Sequence, residues 1–192
     1  MTANEKQTRL STTAVKEQLK SGAQLHAPDI KFSGHAVTVA LDYMKTNYCI
    51  NIGKDINAAL EYSKSKTVTD KLLKLIKITD WSTYTIPEYY IKTCTVLRLL
   101  KSVIPSVRIQ QQVKVILQHH LCMFLFLLGY ASAEHAVAKG HNVVKPEDVD
   151  FVLKNRQIHP HSIVTPPVPR KIKTEIVDDY PELREAIEAA LA

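Results

Sequence analysis

The side chains of this sequence that could support chemistry are histidines and adjacent carboxylates. Five histidines could supply nitrogen ligands to a metal ion: His119, His120, His141, His159 and His161. Their spacing matches no compact zinc motif, and no pair of cysteines accompanies them. Glu147 and Asp148 could act as a catalytic carboxylate pair, but they follow Pro146, where acidic residues favour the positive end of a helix. The sequence therefore predicts no metal site and no cofactor.

The common motifs of nucleophilic catalysis and phosphate binding are also missing from the sequence. It contains no glycine-rich phosphate loop, no G-x-S-x-G and no H-E-x-x-H. The longest unbroken apolar run, residues 121–128, is too short to span a bilayer. We therefore expect a protein that is not an enzyme and that has no small-molecule substrate and no membrane partner.

The composition favours a helical intracellular protein with an anionic partner. The 192 residues carry a formal net charge of +6, and the pI of about 9.1 suits a partner such as nucleic acid. Only five glycines are present, which disfavours a chain with many tight β-turns. Cys49, Cys94 and Cys122 are scattered and odd in number, so we expect reduced thiols.

Two successive segments share one order of elements: a short helix, a long helix and another short helix. In the first segment, the short helix is expected over residues 12–20, Ser33 caps the long helix and Thr69 caps the third. The second segment repeats this order over residues 96–153. A short–long–short unit buries little surface as a single copy, so the two units should pair. The pattern predicts an all-α fold.

Changes in composition along the chain set the expected boundaries. The predicted divisions are a disordered tail 1–11, a first unit 12–79, a connector 80–87, a second unit 88–156 and a C-terminal tail 157–192. Trp81, Tyr84 and Ile86 make the connector apolar, so we expect it to pack against the fold rather than to act as a free linker.

The C-terminal tail has the composition of a segment that docks on protein. Residues 159–169 hold four prolines, which is typical of an extended strap, and a helix is expected over residues 182–191. From Asp178 onward, five acidic residues stand against a single arginine, so DNA phosphates should repel this segment. Its apolar positions recur every four residues: Leu183, Ile187 and Leu191.

The two units resemble two different core histones. The second resembles the 2A type, and its firmest matches are Arg98–Leu99–Leu100, Arg108 and Pro146. The first resembles the 2B type, with one residue inserted in its long helix. The positions that carry this likeness are Gln24–Leu25–His26, Phe32–Ser33, Ala36–Val37, Tyr62–Ser63–Lys64 and Thr67–Val68–Thr69. This order of fusion, over residues 12–156, is similar to the histone doublets of large DNA viruses of the marseillevirus kind.

The resemblance implies an architecture, a function and a place of action. The expected fold is two tandem histone folds in an intramolecular handshake pseudo-dimer, followed by the docking tail. The implied function is to package viral double-stranded DNA into nucleosome-like particles without reading bases, together with a second doublet of the other two core-histone types. The partner doublet should cover Leu72, Leu75 and Ile76. The implied location is the virion and the viral factory or host nucleus.

The resemblance also implies a set of DNA contacts. Arg108 takes the loop position from which the 2A type inserts an arginine into the minor groove, and Arg98 matches a phosphate contact. The remaining implied contacts, in the loops and beside Arg98, are Lys101, Lys64, Lys66, Thr67, Lys31, Ser33 and His35. For each lone basic residue, the alternative is a solvated surface charge.

Departures from the cellular histones leave a second hypothesis open. Cys122, Leu127 and Tyr130 replace acidic residues that the 2A type displays on its long helix, and Val143 and Ser65 replace arginines that face DNA. The modest net charge also fits a histone-fold regulatory module, as in transcription factors, which binds proteins first and DNA little. DNA binding distinguishes the two hypotheses.

Overall fold

The computed structural model describes residues 10–78, 84–155 and 158. Its helices are α1 Thr12–His26, α2 Gly34–Tyr43, α3 Cys49–Ser63, α4 Asp70–Leu75, α5 Thr93–Val103, α6 Gln111–Ala138 and α7 Pro146–Asn155. A π-helical turn, Met44–Tyr48, joins α2 to α3. The short strands are β1 Lys31–Phe32, β2 Thr67–Val68, β3 Arg108–Ile109 and β4 Val143–Val144. The fold is therefore mostly helical, and the prediction of helices alone missed the strands. The N-terminal tail to residue 9, Trp81 and residues 159–192 lie outside the described residues.

Polar caps begin three helices of the first half. Ser11, Ser33 and Thr69 each accept a hydrogen bond on the side-chain oxygen from the backbone N–H three residues later. Ser33 and Thr69 are the caps that the sequence predicted. Helix α1 continues to His26, beyond the predicted end at residue 20, although Gly22 lowers helix propensity. The packing of Gly22, described next, explains why a glycine is kept there.

Helices α1 and α6 cross with their backbones in contact. A Cβ atom at Gly22 would overlap the carbonyl oxygen of Phe126, and a Cβ atom at Gly129 would overlap that of Leu19. Both glycines are buried and lie in helical segments. Since α1 belongs to the first half of the chain and α6 to the second, this crossing joins the two halves.

The long helix of the first half contains one more residue than its counterpart. The equivalent strands of the two halves are β1 and β3, before the long helices, and β2 and β4, after them. Arg108 in β3 follows Lys31 in β1 by 77 positions, whereas Val143 in β4 follows Thr67 in β2 by 76, so the first half has one more residue between its strands. The π-helical turn lies between these landmarks, and Cys49 N–H bonds to the carbonyl of Met44, five residues back. A π-helical turn adds one residue to a helix without ending it. The structure thus agrees with the inserted residue that the resemblance implied.

The strands pair loops of one half with loops of the other. Strand β1 is parallel to β4, with Lys31 opposite Val143, and β2 is parallel to β3, with Thr67 opposite Arg108. The long helices also meet, because the rings of Tyr43 and Tyr48 contact the ring of Phe124. The halves are intertwined rather than placed side by side.

The segment between α4 and α5 extends beyond the predicted connector 80–87, and its described residues 84–92 are called the connector from here on. Two amide side chains fasten it. Gln18, fully buried in α1, donates to the carbonyl of Glu88 at 3.2 Å and accepts from the N–H of Tyr90 at 3.1 Å. Gln118 in α6 donates to the carbonyl of Ile91 at 2.7 Å. Ile91 is buried, as is Ile86, so this stretch packs on the fold as the sequence predicted.

Helix α6 forms the centre of the core. Residues 120–129 are all buried, which agrees with a helix that is apolar on every side. By length and composition alone this helix could cross a membrane, but 72% of its apolar window is buried inside the protein. The covering elements are α1, α5, α7 and the connector. We therefore interpret α6 as a core helix.

The glycine crossing gives the first testable prediction. We expect Gly129→Ala to lower the free energy of unfolding by about 1–3 kcal/mol or more, because the added methyl group forces two helix backbones apart. Gly34→Ala is the matched control, since no atom lies within 4 Å of a Cβ at that first helical position. Urea unfolding followed by circular dichroism measures both. Equal stability of the two variants would contradict the close crossing.

The cysteines give a second prediction. Burial raises the pKa of both Cys49 and Cys122 to about 12 from 9.0, whereas Cys94 is exposed. We expect a thiol reagent at pH 8 to label Cys94 alone in the folded protein and all three thiols in urea. Because the unfolded thiols lose protons near pH 9, stability should fall as the pH rises from 9 toward 12. Rapid native labelling of Cys122 would show that the connector does not cover it.

Candidate nucleic-acid interface

The first candidate surface is loop pair A, which consists of residues 64–68 and 107–110. Arg108 N–H bonds to the carbonyl of Lys66 at 3.2 Å, and Gln110 N–H bonds to that of Val68 at 3.2 Å. This ladder places the exposed side chains of Lys64, Lys66 and Arg108 on one loop surface, with Thr67 half-buried between them. The structure therefore brings together four predicted site residues from both halves of the chain.

Local turn chemistry shapes loop pair A. Lys64 ends α3 in the left-handed region, with φ of 49°, which turns the chain sharply after the helix. The hydroxyl of Ser65 accepts from the N–H of Thr67 at 3.1 Å and donates to its carbonyl at 3.0 Å. Ser65, where the 2B type has an arginine that faces DNA, thus closes the turn that presents Lys64 and Lys66.

The second candidate surface is loop pair B, which consists of residues 30–35 and 142–145. Ser33 N–H bonds to the carbonyl of Val144 at 3.0 Å, while its hydroxyl is engaged as the cap of α2. Lys31 and His35 are exposed beside it. Lys145 is exposed directly after β4 and was not among the DNA contacts predicted from the sequence. Its position could have indicated it, because Lys145 follows β4 as Thr69 follows β2 in the first half.

A buried carboxylate holds the second loop of pair B. Asp148 is fully buried, and one oxygen accepts from the N–H of Lys145 at 2.9 Å. Its other oxygen lies 3.0 Å from Nδ1 of His135, and His141 Nδ1 lies 3.8 Å from the carboxylate. Glu147 is exposed. Asp148 therefore supports the start of α7, as the sequence favoured, and the sequence did not reveal its histidine neighbours.

The other two predicted DNA contacts lie on α5. Arg98 and Lys101 are exposed on this helix, outside both loop pairs. Residues 104–107 lead from the end of α5 directly into loop pair A. The structure thus places these two side chains on the element that precedes Arg108 but does not join them to the strand ladder.

The predicted partner residues differ in exposure. Leu72 is buried in the core, Ile76 is half-buried, and Leu75 is 65% exposed. Tyr62 on α3 is 87% exposed beside them, although the sequence did not indicate it as a partner contact. A groove of about 390 Å³ runs between the two helices and is lined by Asp55, Ala58, Ala59, Tyr62, Leu75 and Ile76. We call it the α3–α4 groove.

The residues that the sequence resemblance places where the 2A type has acidic side chains pack within the fold. Cys122 and Leu127 are buried, and the thiol of Cys122 faces the carbonyl of Ile91 at 4.0 Å. Tyr130 is half-buried and its ring meets that of His26 edge to face. No acidic surface is therefore formed by these positions.

Metal binding finds no support in the described part of the chain. Within it, no group of three histidine, cysteine or acidic side chains is arranged to hold a metal ion. His120 instead contacts the hydroxyl of Tyr48, whose pKa is raised well above its ordinary value by burial. His159 and His161 fall outside the described residues.

Comparison with known proteins identifies the fold. No protein-family model and no curated protein sequence matches this chain. Among solved structures, the chain is similar to the histone from Methanopyrus kandleri, with 22% sequence identity and a TM-score of 0.62. The match covers 74% of this chain and 92% of that chain. At this level of identity the similarity shows a shared fold, so the mostly helical, histone-type fold is confirmed.

The buried carboxylate gives the third prediction. We expect Asp148→Asn to lower the free energy of unfolding by about 1–3 kcal/mol, because an amide cannot satisfy both the Lys145 N–H and the neighbouring imidazoles as a carboxylate does. Asp150→Asn is the matched control, since Asp150 is half-exposed and paired only with Lys154 at 3.7 Å. Thermal unfolding measures both variants. A larger loss for Asp150→Asn would contradict the role of Asp148.

Proposed function

We propose that this protein is a structural histone doublet that packages double-stranded DNA without sequence preference. Its two units, one of the 2B type and one of the 2A type, act as an intramolecular handshake pair. The observation that carries the proposal is the cross-pairing of loops, in which β1 bonds to β4 and β2 to β3. Each resulting loop pair takes residues from both units, so a single chain presents two complete basic surfaces.

The charges on these surfaces suit phosphates rather than bases. Lys64, Lys66 and Arg108 are exposed on loop pair A, and Lys31 and Lys145 on loop pair B. They project from loops and helix starts, where backbone N–H groups also favour anions. This arrangement supports binding through the DNA backbone, with Arg108 reaching the minor groove.

The particle is completed by a second protein. We infer that a doublet of the other two core-histone types docks on the α3–α4 groove, where Tyr62 and Leu75 are exposed. Such apolar patches on a protein surface commonly mark sites of protein association. The marseillevirus-like origin of the chain, and its action in the virion, viral factory or host nucleus, follow only from the sequence resemblance and belong to this proposal.

The regulatory alternative predicts a different balance of contacts. A histone-fold module that acts through proteins would use the α3–α4 groove but would need neither loop pair for DNA. The net charge of +6 is modest for a packaging protein, so DNA affinity decides between the two functions. An enzyme is not proposed, since the fold neighbour is a histone.

The fourth prediction tests Arg108. We expect Arg108→Ala to weaken binding to any duplex about equally and to reduce the slope of log affinity against log salt by about 1, because one cationic side chain that releases counterions from DNA is lost. Lys154→Ala removes the same charge from the end of α7, where Lys154 pairs with Asp150, and should leave the slope unchanged. Fluorescence titrations on two unrelated duplexes measure this. A change in sequence preference would contradict packaging.

Assembly is tested by reconstitution on long DNA followed by nuclease digestion. With a complementary doublet, we expect discrete protected fragments. With this chain alone, we expect DNA binding without a closed, nuclease-resistant particle. Protection by the chain alone would remove the need for a partner, and an absence of DNA binding in low salt would favour the regulatory alternative.

A further inference from the structure

The α3–α4 groove is an apolar surface that the described residues leave open. Its apolar lining consists of Ala58, Ala59, Tyr62, Leu75 and Ile76. Tyr62 and Leu75 are the two most exposed of the large hydrophobic side chains in the described ranges, at 87% and 65%. An exposed pair of this size favours a covering segment, because burying apolar surface contributes about 25 cal/mol per Å².

Helix α4 and the turn after it, which contribute Leu75 and Ile76 to the groove, also carry exposed lysines that are not among the lining residues. Lys71, Lys74 and Lys77 are exposed on α4 and the turn that follows, against Asp70 at the helix start. None of these three lysines has an ion pair within the described residues. Asp55 is the charged residue among those that line the groove, and Glu61 on the same helix accepts a hydrogen bond from Asn57 at 2.9 Å. A suitable occupant is therefore apolar on one face and acidic beside it.

One segment of this same chain has that pattern. Residues 178–192 lie outside the described ranges, and their sequence places Leu183, Ile187 and Leu191 at a spacing of four. The acidic residues of the segment are Asp178, Asp179, Glu182, Glu185 and Glu188, against the single Arg184. A helix with this pattern would set its leucine and isoleucine stripe into the groove and its carboxylates beside the α4 lysines.

The chain is long enough to bring this segment to the groove. Ile158 packs against the core, and twenty residues separate it from Asp178. Fully extended, twenty residues span roughly 66–72 Å. A folded body of the described size has a radius of gyration of only about 15 Å. Tethering also gives an effective concentration of the order of millimolar, which favours the same chain over a second copy.

We propose that residues 178–192 dock in the α3–α4 groove of their own chain and cover it before assembly. The proposal uses the face that the proposed function assigns to the partner doublet. The segment would act as an intramolecular competitor, so the partner must displace it to complete a particle. DNA binding through the loop pairs does not involve this groove and would be unaffected.

Carbodiimide cross-linking of the full chain, without DNA or partner, tests the contact directly. We expect monomeric products in which Lys71, Lys74 or Lys77 is linked to Glu182, Glu185 or Glu188. Lys139 and Lys154, exposed at the end of α6 and on α7, are the control lysines. Absent links, equal linkage to the control lysines, or links only between chains would overturn the proposal, the last by assigning the groove to a second copy.

A second measurement separates docking from general attraction of charges. The double variant Leu183→Asp and Ile187→Asp disrupts the apolar stripe of residues 178–192 and changes no residue of the described fold. It should lose the cross-links. A labelled peptide of residues 178–192 should then bind this full-length variant, and Leu75→Ser should weaken that binding at least tenfold. Phe151→Ser, at an exposed apolar residue on α7, is the matched control and should leave peptide affinity unchanged. Equal losses for the two serine variants would overturn the proposal.

Removing the apolar stripe should change association with the partner doublet in opposite directions, depending on whether the tail docks on its own chain or on the partner. If the tail covers its own groove, removing the stripe should tighten association with the partner doublet. If the tail instead runs across the partner doublet, the same variant should loosen that association, and the proposal would be wrong. Because the fluorescence titrations described above measure DNA affinity separately, failure of this proposal leaves the packaging function to its own tests.

Discussion

The backbone contact between α1 and α6 is the constraint on which the rest of the structure depends. Two helices approach this closely only where side chains are missing, and Gly22 and Gly129 supply that space on opposite partners. The contact lays a helix of the first half along the central helix of the second. It buries part of an α6 surface that is apolar on every side, which a single unit could not cover.

The intertwined loops follow from this crossing. Once the halves are held together, each of the four described strands pairs with a strand of the other half. Gln18 and Gln118 then bond the backbone that leads from one half to the other. Covalent linkage makes pairing of the halves intramolecular, so the two loop pairs do not depend on protein concentration.

Local signals in the sequence predicted much of this fold, whereas contacts between distant elements escaped it. Ser33 and Thr69 were recognised as caps because capping needs only a hydroxyl and the next three residues. The end of α1 was placed too early because Gly22 weakens a helix locally. The reason for a glycine at this position is its contact with the carbonyl of Phe126, 104 residues away. The short strands were missed for the same reason, since each pairs across the halves.

The residues of the candidate site also fall into two groups, those that the sequence indicated and those whose contacts only the structure revealed. The loop positions of Lys64, Lys66 and Arg108 followed from the histone resemblance, but their common surface required the β2–β3 ladder. The sequence indicated Asp148 only as a residue at a helix start, because its burial beside His135 and its bond to the Lys145 N–H depend on tertiary structure. Leu72 and Leu75 differ by less than one helical turn, so sequence alone did not separate the buried from the exposed side chain.

Hydrogen–deuterium exchange of the full chain with and without a random-sequence DNA duplex tests the central claim most directly. The claim is that each DNA surface is built from both halves. We therefore expect slower exchange, on DNA binding, at residues 64–68 together with residues 107–110, and at residues 30–35 together with residues 142–145. Protection confined to one half of the chain, or to the α3–α4 groove, would contradict it.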